Sequence, residues 1–95
     1  MTEIKKLILD VLKPHDPEII EFTKEMCALK SVSSLESSVE EVDKEVETVQ
    51  IILYGEDIVY DEVKKKVKEL GASIHSVDGV VAEGDRKVEM NDQSR

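Results

Sequence analysis

Residues 7–22 read LILDVLKPHDPEIIEF, and this stretch combines most of a strand, a corner and the beginning of a helix. Over residues 3–12, one alternating set of positions is wholly apolar and the other is partly apolar, which is typical of a central strand. Proline cannot donate a backbone hydrogen bond to a sheet, so we predict that Pro14 stops this strand. Asp16 is predicted to cap the following helix, with Pro17 as its first residue, because a proline there loses no helical hydrogen bond.

Helical spacing and strand alternation of the apolar residues divide the rest of the chain into elements. Apolar residues at helical spacing predict a first helix that ends near Lys30 and a second helix over residues 60–70, which Gly71 terminates. The second helix has no clean N-cap in the sequence, and Asp57 is the nearest candidate. Alternation predicts three further strands, of which the first is polar and therefore suited to a sheet edge. These strands cover residues 35–42, 46–54 and 73–83.

The resulting element order, β-α-β-β-α-β, is that of the ferredoxin-like fold, an α+β architecture. Right-handed crossovers give a four-stranded antiparallel sheet with strand order 4-1-3-2 and two helices on one face. A chain of 95 residues has room for one domain. We assign residues 1–84 to that domain and residues 85–95 to a polar C-terminal tail.

Alternation along the two central strands produces two apolar rows. The row beneath the helices is predicted to contain Leu7, Leu9, Val11, Val49, Ile51 and Leu53. The row on the open face is predicted to contain Ile4, Ile8, Leu12, Ile52 and Tyr54. An apolar patch of that extent is unusual on the surface of a monomer. The open-face row therefore predicts the interface of a homo-oligomer.

The composition excludes several kinds of partner. The net charge of −9 repels phosphate backbones, so we expect no nucleic acid. The basic run at residues 64–66 is interpreted as a solvated helix face with ion pairs to acidic residues four positions earlier. The apolar runs are too short to span a membrane, and the N-terminus lacks the pattern of a signal peptide. A single cysteine, Cys27, suits a reducing compartment, so we expect a cytoplasmic protein without membrane contact.

Five residues are candidates for a ligand-binding site: Asp10, Lys13, His15, His75 and Asp78. In the predicted topology, His15 follows strand 1 at the end of the sheet where strand 4 begins, so His75 and the acidic turn between strands 2 and 3 lie at the same end. Oxygen ligands predominate, which favours Ca²⁺ or Mg²⁺ over Zn²⁺. The structural alternative makes His15 a corner residue that bonds to backbone and faces outward unless His75 or the hairpin carboxylates pin its ring. It also makes His75 a half-exposed strand residue and pairs Asp10 with a lysine. The sequence leaves both interpretations open, because it contains no metal-ligand motif.

The sequence contains no recognisable catalytic constellation, and we predict neither catalytic residues nor enzyme activity. No nucleophile is paired with a base, and there is no glycine-rich phosphate loop. An enzyme would have to use His15 or His75 as its general base. Other ferredoxin-like functions lack their residues here: the central strands offer only Tyr54 for stacking on RNA, and the first loop, KPHDP, has neither the cysteines of copper chaperones nor the arginine of acylphosphatases.

Four segments carry a resemblance to a known family: LDVLKPH, VDKEVETVQI, YGEDI and IHSVD. Together they resemble an archaeal group, domain-of-unknown-function family 211, over roughly residues 3–84. The resemblance implies a ferredoxin-like domain that assembles into closed homo-oligomers and has no established activity. Val59 stands where the family usually has an acidic helix cap. The matching motif positions, to which the family gives no role, are Asp10, Lys13, Pro14, His15, His75, Ser76 and Asp78.

We therefore expect a homo-oligomeric interaction module that senses a small ligand or a cation. The alternative is a protein dedicated to binding a divalent cation or a metabolite, because a ring of subunits this acidic concentrates negative potential. An enzyme with a histidine base is the third candidate. No cofactor is expected apart from such a cation, and the identity of any small-molecule ligand is left open.

Overall fold

The alternating residues at the start of the chain form one long strand, β1 (Glu3–Pro14), in the computed structural model, which describes residues 2–84. The other elements follow in the predicted order. They are α1 (Ile19–Cys27), β2 (Ser34–Val42), β3 (Val46–Tyr54), α2 (Tyr60–Glu69) and β4 (Ser73–Glu83). The predicted tail, residues 85–95, lies outside the described residues.

The four strands form one antiparallel sheet with the order β2-β3-β1-β4. This is the predicted order 4-1-3-2 counted from the opposite edge, and it confirms the ferredoxin-like α+β fold. The central β1–β3 register runs without interruption from the Lys6–Tyr54 pair to the Pro14–Val46 pair. The β1–β4 register is irregular at three places. β2 and β4 are therefore the edge strands of the described sheet.

The core lies between the helices and one face of the sheet, as the alternation predicts. All six predicted helix-facing residues of β1 and β3 are buried, and Phe22 and Met26 of α1 and Val63 and Val67 of α2 pack over them. Ile4 differs from the prediction. The register shifts between Ile4 and Lys6, and Ile4 packs against the helix-side core instead of standing only on the open face.

β1 continues two residues past the predicted end at Leu12. Pro14 still pairs with Val46 of β3, whereas the last β4 partner, Ser73, lies opposite Leu12. Beyond Leu12 the strand has a neighbour on one side only, and a proline is tolerated at such an edge-like position.

The predicted cap of the first helix is wrong. α1 begins at Ile19 after an extended Glu18, no side chain caps it, and Asp16 and Pro17 belong to the preceding corner, where they are joined by a cis peptide bond. The Pro17 carbonyl accepts a hydrogen bond from Lys13 Nζ at 2.6 Å, which holds it outside the helix. α1 also ends at Cys27, earlier than the predicted Lys30.

The second helix begins at Tyr60 as predicted and ends at Glu69, one residue early. Gly71 follows with φ +82°, the left-handed conformation that favours glycine at a helix terminus. Asp57 does not cap this helix. Its carboxylate accepts the backbone N–H of Ile4 at 3.4 Å instead, so the side chain links the corner before α2 to the start of β1.

Candidate functional site

Lys13 is fully buried, although the sequence offers it as a binding residue. It has the same parity on β1 as Leu9 and Val11, so its side chain enters the core side of the sheet. Its ammonium group donates to the carbonyls of Pro14 at 2.8 Å and Pro17 at 2.6 Å, and it forms an ion pair with Glu47 Oε1 at 3.0 Å. An ammonium has three donors, and all three are used here, so none is left for a ligand.

His15 is half-exposed, but its ring is held on both sides. Nδ1 lies 3.0 Å from Glu47 Oε2 and Nε2 lies 2.9 Å from the backbone carbonyl of Lys44. The ring therefore bonds to backbone, as expected of a corner residue, and it is also held by a carboxylate instead of facing freely outward. The glutamate carboxylate, followed by the Lys44 carbonyl, raises the pKa of His15 above its usual value, because both favour the charged imidazolium.

Glu47 of β3 joins the two cations, with one carboxylate oxygen on each. The hydrogen bonds from His15 and from Lys13 lower the pKa of this carboxyl. We call Lys13, His15 and Glu47 the corner cluster. It ties the β1–α1 corner to the β2–β3 hairpin, and its charges are all paired when His15 is protonated.

Glu47 was missing from the sequence-based candidates, yet a signal for it exists. Val49, Ile51 and Leu53 alternate toward the helices, so Glu47 continues that row, and the register places it directly opposite Lys13. Two opposite charges at facing core-side positions predict an ion pair. The signal requires the register of β1 on β3, which no single segment supplies.

The other three candidates lie elsewhere and do not join the corner cluster. Asp10 is on the open side of β1, where its register partners are Gln50 and Ser76. Ser76 donates its hydroxyl to Asp78 at 2.8 Å, so these β4 side chains are neighbours. His75 is exposed on the same strand. Within residues 2–84, no cluster of three or more histidine, cysteine or acidic side chains is suitable for holding a metal ion.

His75 lines a groove between α2 and β4, which we call the α2–β4 groove. Its volume is about 610 Å³. The floor is mainly apolar, and two exposed lysines, Lys64 and Lys68, stand on the helix side. Lys64 also lies 5.5 Å from the centroid of the Tyr60 ring, in a cation–π contact. The residues that line the groove are Tyr60, Lys64, Val67, Lys68, Ala72, Ser73, Ile74, His75, Ser76 and Val77.

Exposed apolar side chains concentrate on the two edge strands. Of the seven exposed large apolar residues in the described part of the chain, five are valines of β2 and β4. They are Val39, Val42, Val77, Val80 and Val81, which we call the edge valines. The open-face residues predicted for an interface are less exposed than the edge valines. The Lys6 ammonium lies over the Tyr54 ring, and the Ile8 side chain packs against Gly79.

Comparison with known proteins places the chain in a family. The sequence profile described as "Uncharacterized ArCR", domain-of-unknown-function family 211, matches residues 5–95. The chain belongs to this family. It is also 37% identical over 82 residues to "Uncharacterized protein MJ0319" of the archaeon Methanocaldococcus jannaschii, an alignment that covers 86% of this chain and 84% of the relative. The resemblance stated from the four sequence segments is thus confirmed.

Neither the family description nor the name of the archaeal relative states an activity. One further fact comes from the described residues alone. None of the helices between residues 2 and 84 has the length and apolar character needed to cross a membrane.

Proposed function

We propose that this family 211 protein is a homo-oligomeric interaction module that works in the cytoplasm. The observation that carries the proposal is the position of the edge valines. Unpaired edge strands are ready to pair with another chain, and monomeric proteins usually protect them with charges, prolines or a covering element. Within residues 2–84, β2 and β4 are the edge strands of the sheet, and both carry exposed valines.

Self-association is favoured over a dedicated ligand site because three of the five polar candidates, Lys13, His15 and Asp78, are engaged within the domain. Lys13 and His15 are both held by Glu47. Asp78 accepts the Ser76 hydroxyl. The contacts of the corner cluster support the domain, and the edge valines are the main exposed apolar surface within the described residues.

The proposal is tested by measuring the mass in solution. Light scattering or sedimentation at micromolar concentration is expected to give a multiple of the chain mass of 10.7 kDa. A mass that stays at one chain up to about 100 μM would contradict the proposal, since stable interfaces between subunits survive far below that concentration.

A further inference from the structure

One row of register partners runs across the whole sheet, from the β2 edge to the β4 edge. Val39 of β2 pairs with Val49 of β3, Val49 pairs with Val11 of β1, and Val11 pairs with Ile74 of β4. The row thus crosses all four strands. If copies of the chain were repeated side by side across the sheet, Val39 of one copy would stand next to Ile74 of the previous copy.

The same repetition gives the correct strand direction for pairing. Each neighbouring pair in the order β2-β3-β1-β4 is antiparallel, so β2 runs parallel to β1 and antiparallel to β4. A second copy shifted sideways would therefore present its β2 antiparallel to the free edge of β4. Strand addition of this kind uses backbone hydrogen bonds for affinity and side-chain pockets for specificity.

The α2–β4 groove supplies such a pocket. Ile74 and Val77 line it beside the apolar Val67 and Ala72. Val39 has the helix-facing parity of its register partner Val49, so in the shifted copy it would point to the side of the sheet where the groove opens. The exposed Val39 and the exposed Val77 would each cover apolar surface of the other copy.

Charge distinguishes this head-to-tail contact from a contact between like edges. The end of β2 nearest the row carries Glu40 and Glu41, both exposed, and the turn after it adds Asp43 and Glu45. The matching end of the β4 edge has Lys64 and Lys68 above the groove. Pairing β2 with β2 would bring the glutamates together, and pairing β4 with β4 would bring the lysines together, whereas β2 on β4 joins opposite charges.

We propose that β2 of a second copy of this chain pairs with β4 and seats Val39 in the α2–β4 groove, so that the subunits associate head to tail. The inference rests on the proposed homo-oligomer and specifies the surfaces through which its subunits meet. A head-to-tail contact uses two different surfaces of each subunit, and it generates a ring when the rotation closes and a filament when it does not.

Charge reversal on either edge tests the contact. The variant Lys64→Glu/Lys68→Glu places glutamates above the groove that meets Glu40 and Glu41, and Glu40→Lys/Glu41→Lys places lysines opposite Lys64 and Lys68. Each is expected to weaken association at least ~10-fold in sedimentation. The variant that carries all four changes again sets opposite charges at these positions and is expected to recover to within about threefold of the wild type. Circular dichroism on each variant confirms that the domain is folded.

Hydrogen exchange on the wild-type protein gives a second measurement that needs no substitution. Raising the concentration is expected to slow exchange at amides of both β2 and β4, because each edge is covered by a different neighbour. Protection at one edge alone would mean a contact between like edges and would overturn the inference.

The outcome separates the two proposals. A wild-type protein that remains a single chain contradicts the proposed function itself. An oligomer that is unaffected by both charge reversals but dissociates with Ile8→Glu or Ile52→Glu uses the open face of the sheet. That result would overturn the head-to-tail contact and leave the homo-oligomer standing.

Discussion

Two corners of this protein each join a strand to the following helix, and different contacts hold them in place. The first corner, residues 14–18, leads from β1 into α1, and the second corner, residues 55–59, leads from β3 into α2. The first is held by side-chain charges, since Lys13 and His15 share the carboxylate of Glu47. The second is held by backbone, because Gly55 N–H donates to the Lys5 carbonyl at 3.1 Å and Ile58 N–H donates to the Ile4 carbonyl at 2.8 Å.

Packing completes the second corner. Ile58 is buried in the core, and the α-carbon of Gly55 lies so close to the Ser31 carbonyl that no β-carbon fits there. The first corner contains no glycine, and its own residues His15 and Asp16 are exposed. We therefore expect the first corner to respond to protonation and to the loss of a charge, and the second to respond to added volume.

Removing the buried cation is expected to have the largest effect. Lys13→Met leaves Glu47 Oε1 and the carbonyls of Pro14 and Pro17 without the ammonium donor, while His15 remains on Oε2. It should lower the free energy of unfolding by about 4 kcal/mol. Urea denaturation measures this. The matched control is Lys66→Met, whose partner Glu25 lies 3.2 Å away at the surface. That loss should be about 0.5 kcal/mol.

The double variant Lys13→Met/Glu47→Leu sharpens the interpretation. It removes the carboxylate, which would otherwise keep only His15 as a partner, together with the ammonium. We expect it to be more stable than Lys13→Met alone. Equal stability of the two variants would mean that the unpaired carbonyls, rather than the carboxylate, cause the loss.

The second corner should fail on added volume. In Gly55→Ala the new β-carbon meets the Ser31 backbone carbonyl, and a backbone atom within a packed loop has little room to move. We expect a loss of about 3 kcal/mol in the same denaturation experiment. Gly84→Ala is the control, because nothing lies within 4 Å of the added carbon. A Gly55→Ala protein as stable as the control would show that the second corner can adjust.

These two corners also show what a single sequence can predict. The bounds of β3 and β4 and the buried row agree with the prediction, because alternation against a core is a local signal. The start of α1 was missed because Asp16 and Pro17 have the residue types of a helix start, while a distant side chain, Lys13, holds the Pro17 carbonyl. Local propensity was overridden by a tertiary contact.

The candidate site follows the same rule. Lys13 and His15 were selected by residue type, and both belong to one cluster, but the residue that joins them lies 32 positions beyond His15. His75 was selected because the topology places it near that end of the sheet, whereas Asp10 was selected as a carboxylate in the middle of a central strand and Asp78 as its possible neighbour on strand 4. Topology gives the end of a strand, whereas contact depends on face and register, and these separate Asp10 on the open side from Lys13 in the core.

The next largest difference between the corners is expected in the pH dependence of their stability. The pKa of His15 is raised in the folded protein, so its stabilising contribution is complete below its usual pKa of about 6.5 and is lost as the pH rises through the raised value. The pKa of Glu47 is lowered, so its contribution is present above about pH 4.5 and is lost as the pH falls through the lowered value.

Unfolding measured between pH 5 and 9 tests this, with His15→Gln as the variant. The wild type is expected to lose stability relative to His15→Gln over the upper part of that range, while a variant of the second corner such as Asp57→Asn keeps the wild-type slope. An NMR titration follows His15 directly, with His75 as the second histidine in the same spectrum. Parallel curves for wild type and His15→Gln would contradict the contact with Glu47.

The smallest effect is expected for the residue that the sequence makes most prominent. Asp16 has the side chain of a helix cap, and a true N-cap is worth about 1 kcal/mol. Its carboxylate lies before the extended Glu18, and no side chain caps α1. Asp16→Ala should therefore change the free energy of unfolding by less than about 0.5 kcal/mol, the range of an ordinary surface substitution.

Asp57→Ala is its counterpart in the second corner, where the carboxylate accepts the Ile4 N–H at 3.4 Å. A bond this long at the surface is weak, so the two variants should differ little in urea denaturation. A loss near 1 kcal/mol for Asp16→Ala alone would mean that Asp16 does cap α1 in solution and that the first corner is held by its backbone geometry as well as by the charges of Lys13, His15 and Glu47.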